Sequence, residues 1–200
     1  MHIEQIRADR AGLEEYARIP MLVWVDQVLR PEMPQNGLGG IRFVQEAVAR
    51  PYWKDLGAYD NPLQLPGQFD LSNWALFLAW DGGRAVGGAM VAARTPNEHM
   101  LEERDDLAVL WDLRVDSAYW GRGIGSMLFA EAANWSRQQG LLEMKIESQN
   151  NNVRAAHFYA KKGAVLGAIN TRAYRGEPDI GEEIQLIWYL DLAALPQDGK

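Results

Sequence analysis

The hydrophobic and polar positions of the chain fall into periodic segments that predict both strands and helices. Short apolar runs predict strands over residues 1–7, 74–80, 85–93, 106–115, 141–148, 165–170 and 184–191. Apolar residues at helical spacing predict helices over residues 10–18 and 126–139, and another helix follows residue 152. The strand–helix–strand–helix order after residue 106 predicts two parallel strands.

The segment from residue 21 to residue 68 gives weaker signals. Residues 21–29 are apolar and fit a strand or a helix, whereas Ile41, Val44 and Val48 recur at helical spacing and predict a helix to about Arg50. Prolines and glycines predict loops over residues 31–40 and 51–68. The aromatic residues of the second loop are expected to pack on the core, with a lid over a substrate as the less favoured alternative.

A glycine-rich turn, Gly121-Arg-Gly-Ile-Gly125, links a predicted strand to a predicted helix. Glycine lets the backbone approach a ligand closely, and the first amides of a helix attract anions, so the turn predicts a phosphate-bearing ligand. A P-loop is excluded because Ser126-Met127 follows the last glycine, and the dinucleotide fingerprint is excluded by the glycine spacing. The pyrophosphate loop of an acyl-coenzyme A (CoA) transferase remains, with an ordinary glycine-rich connection as the alternative.

A second motif runs from Glu147 to Gly163. An asparagine among residues 150–152 suits a helix N-cap, and Gly163 suits the position just after the helix. The motif is complete as Asn152, Ala155, Phe158, Tyr159 and Gly163, and with the glycine turn it resembles the GNAT N-acetyltransferase superfamily.

The resemblance has limits along the chain. Trp120 stands where that family usually has Arg or Gln. Residues 74–192 match best and are most similar to streptothricin acetyltransferase-like small-amine acetyltransferases, whereas residues 28–72 are expected to be a variable insert or loop region. The resemblance implies a single α/β (α+β) domain over residues 1–200, whose mixed, mostly antiparallel sheet has a central splayed parallel strand pair and flanking helices.

The resemblance also assigns a co-substrate, acetyl-CoA, and the residues that bind it. The pyrophosphate is expected at Arg122, Gly123, Ile124, Gly125 and Ser126. The pantetheine arm is expected along the backbone of Leu113 and Val115 and beside Asn152, and Phe158 is also expected to bind the co-substrate. Tyr159 is expected to protonate the leaving thiolate, because a phenol is protonated at neutral pH; a buried structural tyrosine is the alternative.

The base that deprotonates the amine is expected at Asp112 or Glu147, which lie at the ends of neighbouring predicted strands. An ion pair with Arg114 or Lys145 is the structural alternative for either carboxylate. Trp111 and Tyr174 are expected to contact the acceptor substrate.

Composition narrows the remaining choices. The absence of cysteine among 200 residues excludes a cysteine nucleophile and zinc–thiolate sites, and His2, His99 and His157 do not suggest a metal set, so no metal is expected. A net charge of −7 disfavours nucleic acid and weakly favours a cationic substrate. Neither a signal peptide nor a membrane span is visible, so a cytoplasmic location without membrane partners is expected.

These observations predict an acyl-CoA-dependent N-acetyltransferase. It is expected to transfer acetyl from acetyl-CoA to a primary amine of a small molecule, by direct attack in a ternary complex. A protein or peptide amine as acceptor, or a non-catalytic acyl-CoA-binding module, are the alternatives. A homodimer is left open.

Overall fold

The computed structural model describes residues 1–195. The strands of this part of the chain are β1 (His2–Ile6), β2 (Leu22–Glu32), β3 (Arg42–Asp55), β4 (Ala75–Asp81), β5 (Arg84–Ala93), β6 (Leu107–Val115), β7 (Glu143–Gln149), β8 (Val165–Asn170) and β9 (Gln185–Asp191). The α-helices are α1 (Arg10–Ala17), α2 (Ile124–Gln138) and α3 (Val153–Lys161). Short 3-10 turns occupy several of the connections, among them Leu56–Ala58, Pro62–Gly67 and Leu71–Asn73.

Seven strands form one mixed sheet in the order β1-β4-β5-β6-β7-β9-β8, and β2 pairs with β3 in a separate sheet. The β1–β4, β4–β5 and β5–β6 pairs are antiparallel, whereas β6 and β7 are parallel. The parallel register runs from Leu107 opposite Glu143 to Leu110 opposite Ile146, and both strands continue beyond it. The predicted fold, with its central splayed parallel pair and flanking helices, is confirmed.

The chain divides into two compact units. Among the described residues, the first comprises Met1–Leu22, Asp55–Ile146 and residues 189–195, and the second comprises Val23–Lys54 and Glu147–Trp188. A single domain over residues 1–200 stays a prediction.

The core of the first unit lies on both faces of β4 and β5, which are buried along almost their whole length. Adjacent glycines of β5 show the two faces, since side chains alternate along a strand. Gly87 lies against Ile124 and Leu128 of α2, and Gly88 lies against the fully buried ring of Tyr16 in α1. Strands covered on both faces are expected to be continuously apolar rather than alternating, as these are.

Residues 41–50 form part of strand β3, so the predicted helix over this segment is wrong. The spacing of Ile41, Val44 and Val48 would suit a helix that buries one face, but every residue from Arg42 to Trp53 is exposed or half-buried. Pairing with β2 therefore determines that this segment is a strand. The strand continues through Pro51, so the loop predicted over residues 51–68 begins only after Asp55. Residues 21–29, which fit a strand or a helix by sequence, lie almost entirely in strand β2.

Replacing Gly88 with alanine tests the close packing of α1 on β5. A Cβ there would lie 2.5 Å from the Tyr16 ring and 2.9 Å from the carbonyl oxygen of Phe77. Since such overpacking usually costs about 1–3 kcal/mol, the free energy of unfolding measured in urea should fall by that amount. Gly67→Ala is the control, because a Cβ there meets nothing within 4 Å. Equal stability of the two variants would contradict the packing described.

Candidate active site

The glycine-rich turn forms an open backbone surface at the start of α2. Gly121 and Gly123 have φ of +78° and +81°, values that residues with a side chain rarely adopt. A Cβ on either would meet nothing within 4 Å, so the space above the turn is open. Gly123 is the N-cap of α2, and the first amides of a helix lack intrahelical acceptors. The turn therefore leaves room for an anionic group, and a pyrophosphate at this position stays a prediction.

Trp120 has a structural role at the base of this turn. Its indole Nε1 donates a hydrogen bond of 2.9 Å to the carbonyl oxygen of Val115, the last residue of β6. This bond ties the turn to the strand that precedes it. Trp120 therefore replaces the usual Arg or Gln with a side chain that bonds to the end of β6. The backbone amides of the turn are not affected by this replacement.

The second half of β6 carries a buried charged cluster. A register shift opposite Met90 and Val91 skips Trp111, so β6 has a bulge there. Asp112 and Arg114 follow on one face and are 4% exposed each. The guanidinium donates from Nε to Asp112 Oδ2 at 2.7 Å and also from Nη2, and it lies 4.4 Å from the centre of the Tyr16 ring. The ion pair named as the alternative role for Asp112 is therefore present.

Glu147 occupies a different environment in the second unit. Its Oε1 accepts a 2.6 Å hydrogen bond from the hydroxyl of Tyr174, and its Oε2 accepts a 2.7 Å bond from Gln185 Nε2. Burial, and then the nearby Glu147 carboxylate, raise the pKa of Tyr174 well above its ordinary value, so this hydroxyl stays protonated and donates. Lys145, named above only as an alternative partner, pairs instead with Glu102 at 2.6 Å.

The three consecutive asparagines of the second motif have three separate roles. Asn150 exchanges two hydrogen bonds with Ile184 and two with Leu29, which joins β2 to the segment before β9. Asn151 donates to Glu183 at 2.9 Å, and Glu183 pairs with the buried Lys54 at 2.6 Å. Asn152 caps α3, its Oδ1 accepting from the amide of Ala155 at 3.2 Å. The predicted N-cap is confirmed, whereas the other two roles gave no signal in the sequence.

Helix α3 carries the predicted acid. Tyr159 is 8% exposed, and its ring contacts that of Phe158 edge-on at 5.4 Å. Gly163, with φ of +91°, follows the helix as the motif predicts. This burial and ring contact are expected both of a positioned acid and of a structural tyrosine.

Asp60 was not identified from the sequence. It lies in the connection between β3 and β4, is half-buried, and is close enough to Asp112, Arg114 and Trp111 for all three to act on its carboxyl group. Burial, and then the negative charge of Asp112, raise its pKa above the ordinary value. No motif marks it, because its partners are about fifty residues away in sequence.

Two features of the described residues bear on other functions. No group of three or more His, Asp and Glu side chains within residues 1–195 could hold a metal ion. In the same part of the chain, no helix is long and apolar enough to cross a membrane.

Comparison with known families identifies the chain. The model of the acetyltransferase (GNAT) family matches residues 45–164, more than half of the sequence. The chain belongs to the GNAT acetyltransferase family. It is an acyl-CoA-dependent N-acetyltransferase, with acetyl-CoA as its co-substrate.

Individual GNAT relatives agree with this result. Streptothricin acetyltransferase A of Bacillus subtilis (strain 168) is 26% identical over 147 residues, which cover 74% of this chain and 78% of the relative. Streptothricin acetyltransferase of Escherichia coli is 34% identical over 85 residues, 42% of this chain and 49% of the relative. These similarities extend outside the two motifs.

A solved structure shows the same fold over nearly the whole chain. It is a protein of Bacillus anthracis str. Ames assigned as a streptothricin acetyltransferase, in complex with acetyl-CoA. The TM-score is 0.73 at 24% identity, covering 95% of this chain and 98% of that one. The crystal structure of nourseothricin acetyltransferase gives the same TM-score at 20% identity, covering 96% and 99%.

Acetyl-CoA binding at the glycine turn predicts a thermal shift. A ligand at a hundred times its dissociation constant adds roughly 2.7 kcal/mol of stability, which raises the melting temperature of a chain of this size by about 5–10 °C. Gly125→Asp should abolish the shift because it sets a carboxylate against the phosphates. Its side chain has room, since the nearest atom to a Cβ there is 3.8 Å away.

The matched control is Gly125→Asn, which has the same size without the charge and should retain more of the shift. Each variant is compared with its own melting temperature in the absence of acetyl-CoA. An unchanged melting temperature of the parent protein at saturating acetyl-CoA would contradict binding.

Proposed function

We propose that this GNAT enzyme acetylates a primary amine of a small molecule by direct attack on acetyl-CoA in a ternary complex. The observation that carries the acceptor class is the similarity to a streptothricin acetyltransferase over 74% of the chain. The net charge of −7 also weakly favours a cationic acceptor, through long-range electrostatic attraction. The test of the whole proposal is the release of free thiol from acetyl-CoA with a panel of small amines. Release with peptide amines alone would favour the alternative acceptor.

The glycine turn, the end of β6 and the N-cap of α3 are proposed to hold the co-substrate. The amides of residues 122–126 would bind the pyrophosphate, and the backbone of Leu113 and Val115 would bind the pantetheine arm. Because Oδ1 of Asn152 is engaged as the cap of α3, a contact of Asn152 with the pantetheine would be made by its Nδ2 donor. Acetyl-CoA supplies an activated thioester, so no covalent intermediate on the protein is required.

Tyr159 is proposed to be the acid. As the amine nitrogen bonds to the carbonyl carbon and the C–S bond breaks, the leaving thiolate gains charge, and a proton from a phenol stabilises it. The completeness of the motif around Tyr159 supports this role.

Replacing Tyr159 with phenylalanine should lower kcat by about 10²–10⁴-fold, the usual contribution of general acid catalysis. The thermal shift with acetyl-CoA should persist because the ring is kept, which separates catalysis from binding. The melting temperature of the variant without ligand controls for disturbance of α3. Parental kcat in the Tyr159 variant would return this residue to a structural role.

Glu147 is proposed to bind the reacting amine and to accept its proton, directly or through water. A carboxylate whose charge is balanced by a buried guanidinium attracts a second cation weakly, and Asp112 is in that position beside Arg114. Glu147 instead accepts hydrogen bonds from the neutral groups of Tyr174 and Gln185, so its negative charge is not balanced by these partners. Tyr174 would then orient the carboxylate.

Glu147→Gln should raise KM for cationic amines, lower kcat, or both, without changing acetyl-CoA binding. Tyr174→Phe removes one hydrogen bond to Glu147 and should have a smaller effect in the same direction. The informative comparison is between the KM and kcat measured with a charged amine and those measured with a neutral amine of low pKa and similar size. If the Gln variant and Asp112→Asn both treat the two acceptors as the parent does, neither carboxylate recognises the amine.

The absence of cysteine and the use of acetyl-CoA suit a cytoplasmic enzyme, and we propose this location.

A further inference from the structure

The carbonyl oxygen of Val115, at the end of β6, is a fixed point beside the glycine turn. The amide of the next residue, Asp116, donates to the carbonyl oxygen of Val86 in β5 at 2.9 Å. Asp116 is 7% exposed, its Oδ1 accepts from the amide of Ala118 at 3.0 Å, and its Oδ2 accepts from Arg84 at 2.6 Å. These bonds fix the place where the chain leaves the sheet.

Trp120, the residue just before the turn, bonds back to this fixed point. Its half-buried indole donates from Nε1 to the Val115 carbonyl oxygen at 2.9 Å, five residues earlier in the chain. The bond closes residues 115–120 into a compact loop around a short 3-10 turn, Ser117–Tyr119. Trp120 itself is extended, with φ of −62° and ψ of 152°, and so sets the direction in which the chain enters the glycine turn.

The turn needs attachment at its ends because glycine gives it little stiffness. Gly121 and Gly123 have φ of +78° and +81°, and glycine loses more conformational freedom on ordering than any other residue. At the far end, Ile124 of α2 is 1% exposed and lies against Gly87 of β5. At the near end, the indole of Trp120 provides the attachment. Groups that are already in place when a ligand arrives bind it more tightly than groups that must first be ordered.

We infer that Trp120 is a positioning residue for the backbone amides that bind the pyrophosphate of acetyl-CoA. This inference rests on the proposed function, which places the pyrophosphate at residues 122–126. Trp120 contacts no reacting atom, and it acts through the orientation of Gly121 and the amides that follow. The role also accounts for a tryptophan where the family usually has Arg or Gln, since indole, guanidinium and amide side chains all offer an N–H donor.

The test is the dissociation constant of CoA, measured by calorimetry, for variants at this position. Trp120→Phe keeps an aromatic ring and removes the donor, so it should weaken CoA binding by about 3–10-fold, the contribution of one hydrogen bond. Trp120→Gln returns an N–H donor of the kind usual in the family and should recover most of this loss. Trp74→Phe is the matched control, because it removes an indole hydrogen bond of 2.7 Å to Thr95 and should lower stability without changing CoA affinity.

A truncated donor separates the glycine turn from the rest of the site. S-Acetylpantetheine has the thioester and the pantetheine arm but no pyrophosphate. Trp120→Phe should therefore raise KM for acetyl-CoA and leave KM for S-acetylpantetheine unchanged. Because Trp120 contributes to binding and not to the chemical step, kcat at saturating donor should match that of the parent with either donor. A merely structural role would change both donors alike.

The inference is overturned if Trp120→Phe binds CoA as the parent does, if the Gln variant is as weak as the Phe variant, or if both donors are impaired equally. Melting temperatures without ligand confirm that the variants are folded. If CoA affinity follows the N–H donor at position 120 but no amine releases thiol, the inference stands and the proposed function fails. If small amines release thiol and KM for acetyl-CoA is unchanged in Trp120→Phe, the proposed function stands and the inference fails.

Discussion

The placement of the charged residues and free backbone groups of β6 depends on a change in strand pairing along β6. The strand pairs with β5 along its length, but its parallel register with β7 ends at Leu110. A strand held on both sides is a rigid support, and the part held on one side has backbone groups free for another partner. The bulge at Trp111 lies at this transition, and the charged residues of β6 come directly after it. Bulges commonly redirect side chains beside functional sites.

Electrostatic pairing then separates two kinds of carboxylate. Asp112, Glu183 and Glu102 each have a lysine or arginine partner, and such pairs hold elements in place. Glu147 accepts hydrogen bonds from the neutral groups of Tyr174 and Gln185. A neutral donor orients a carboxylate without cancelling its charge. Glu147 therefore retains the attraction for a cation that a paired carboxylate has largely lost.

The sequence predicts those parts of the protein whose signals are local. The glycine turn, the cap at Asn152 and the stop at Gly163 depend on neighbouring backbone groups, and all three are found as expected. Strand β3 was predicted as a helix because its conformation depends on pairing with β2 rather than on its own periodicity. Asp60 was missed for the same reason, since its environment is created by residues of a distant strand.

The same distinction explains why the co-substrate is easier to identify than the acceptor. Pyrophosphate is bound by backbone amides at a helix start, and a short glycine pattern is enough to specify that geometry. An acceptor is recognised by single side chains that different loops bring to it, so no contiguous motif encodes it. In this chain the segment between β8 and β9 contributes Tyr174, whose hydroxyl donates to Glu147, the residue proposed to bind the amine. We expect variation in such connections to change the amine that is accepted while the glycine turn and the sheet stay the same.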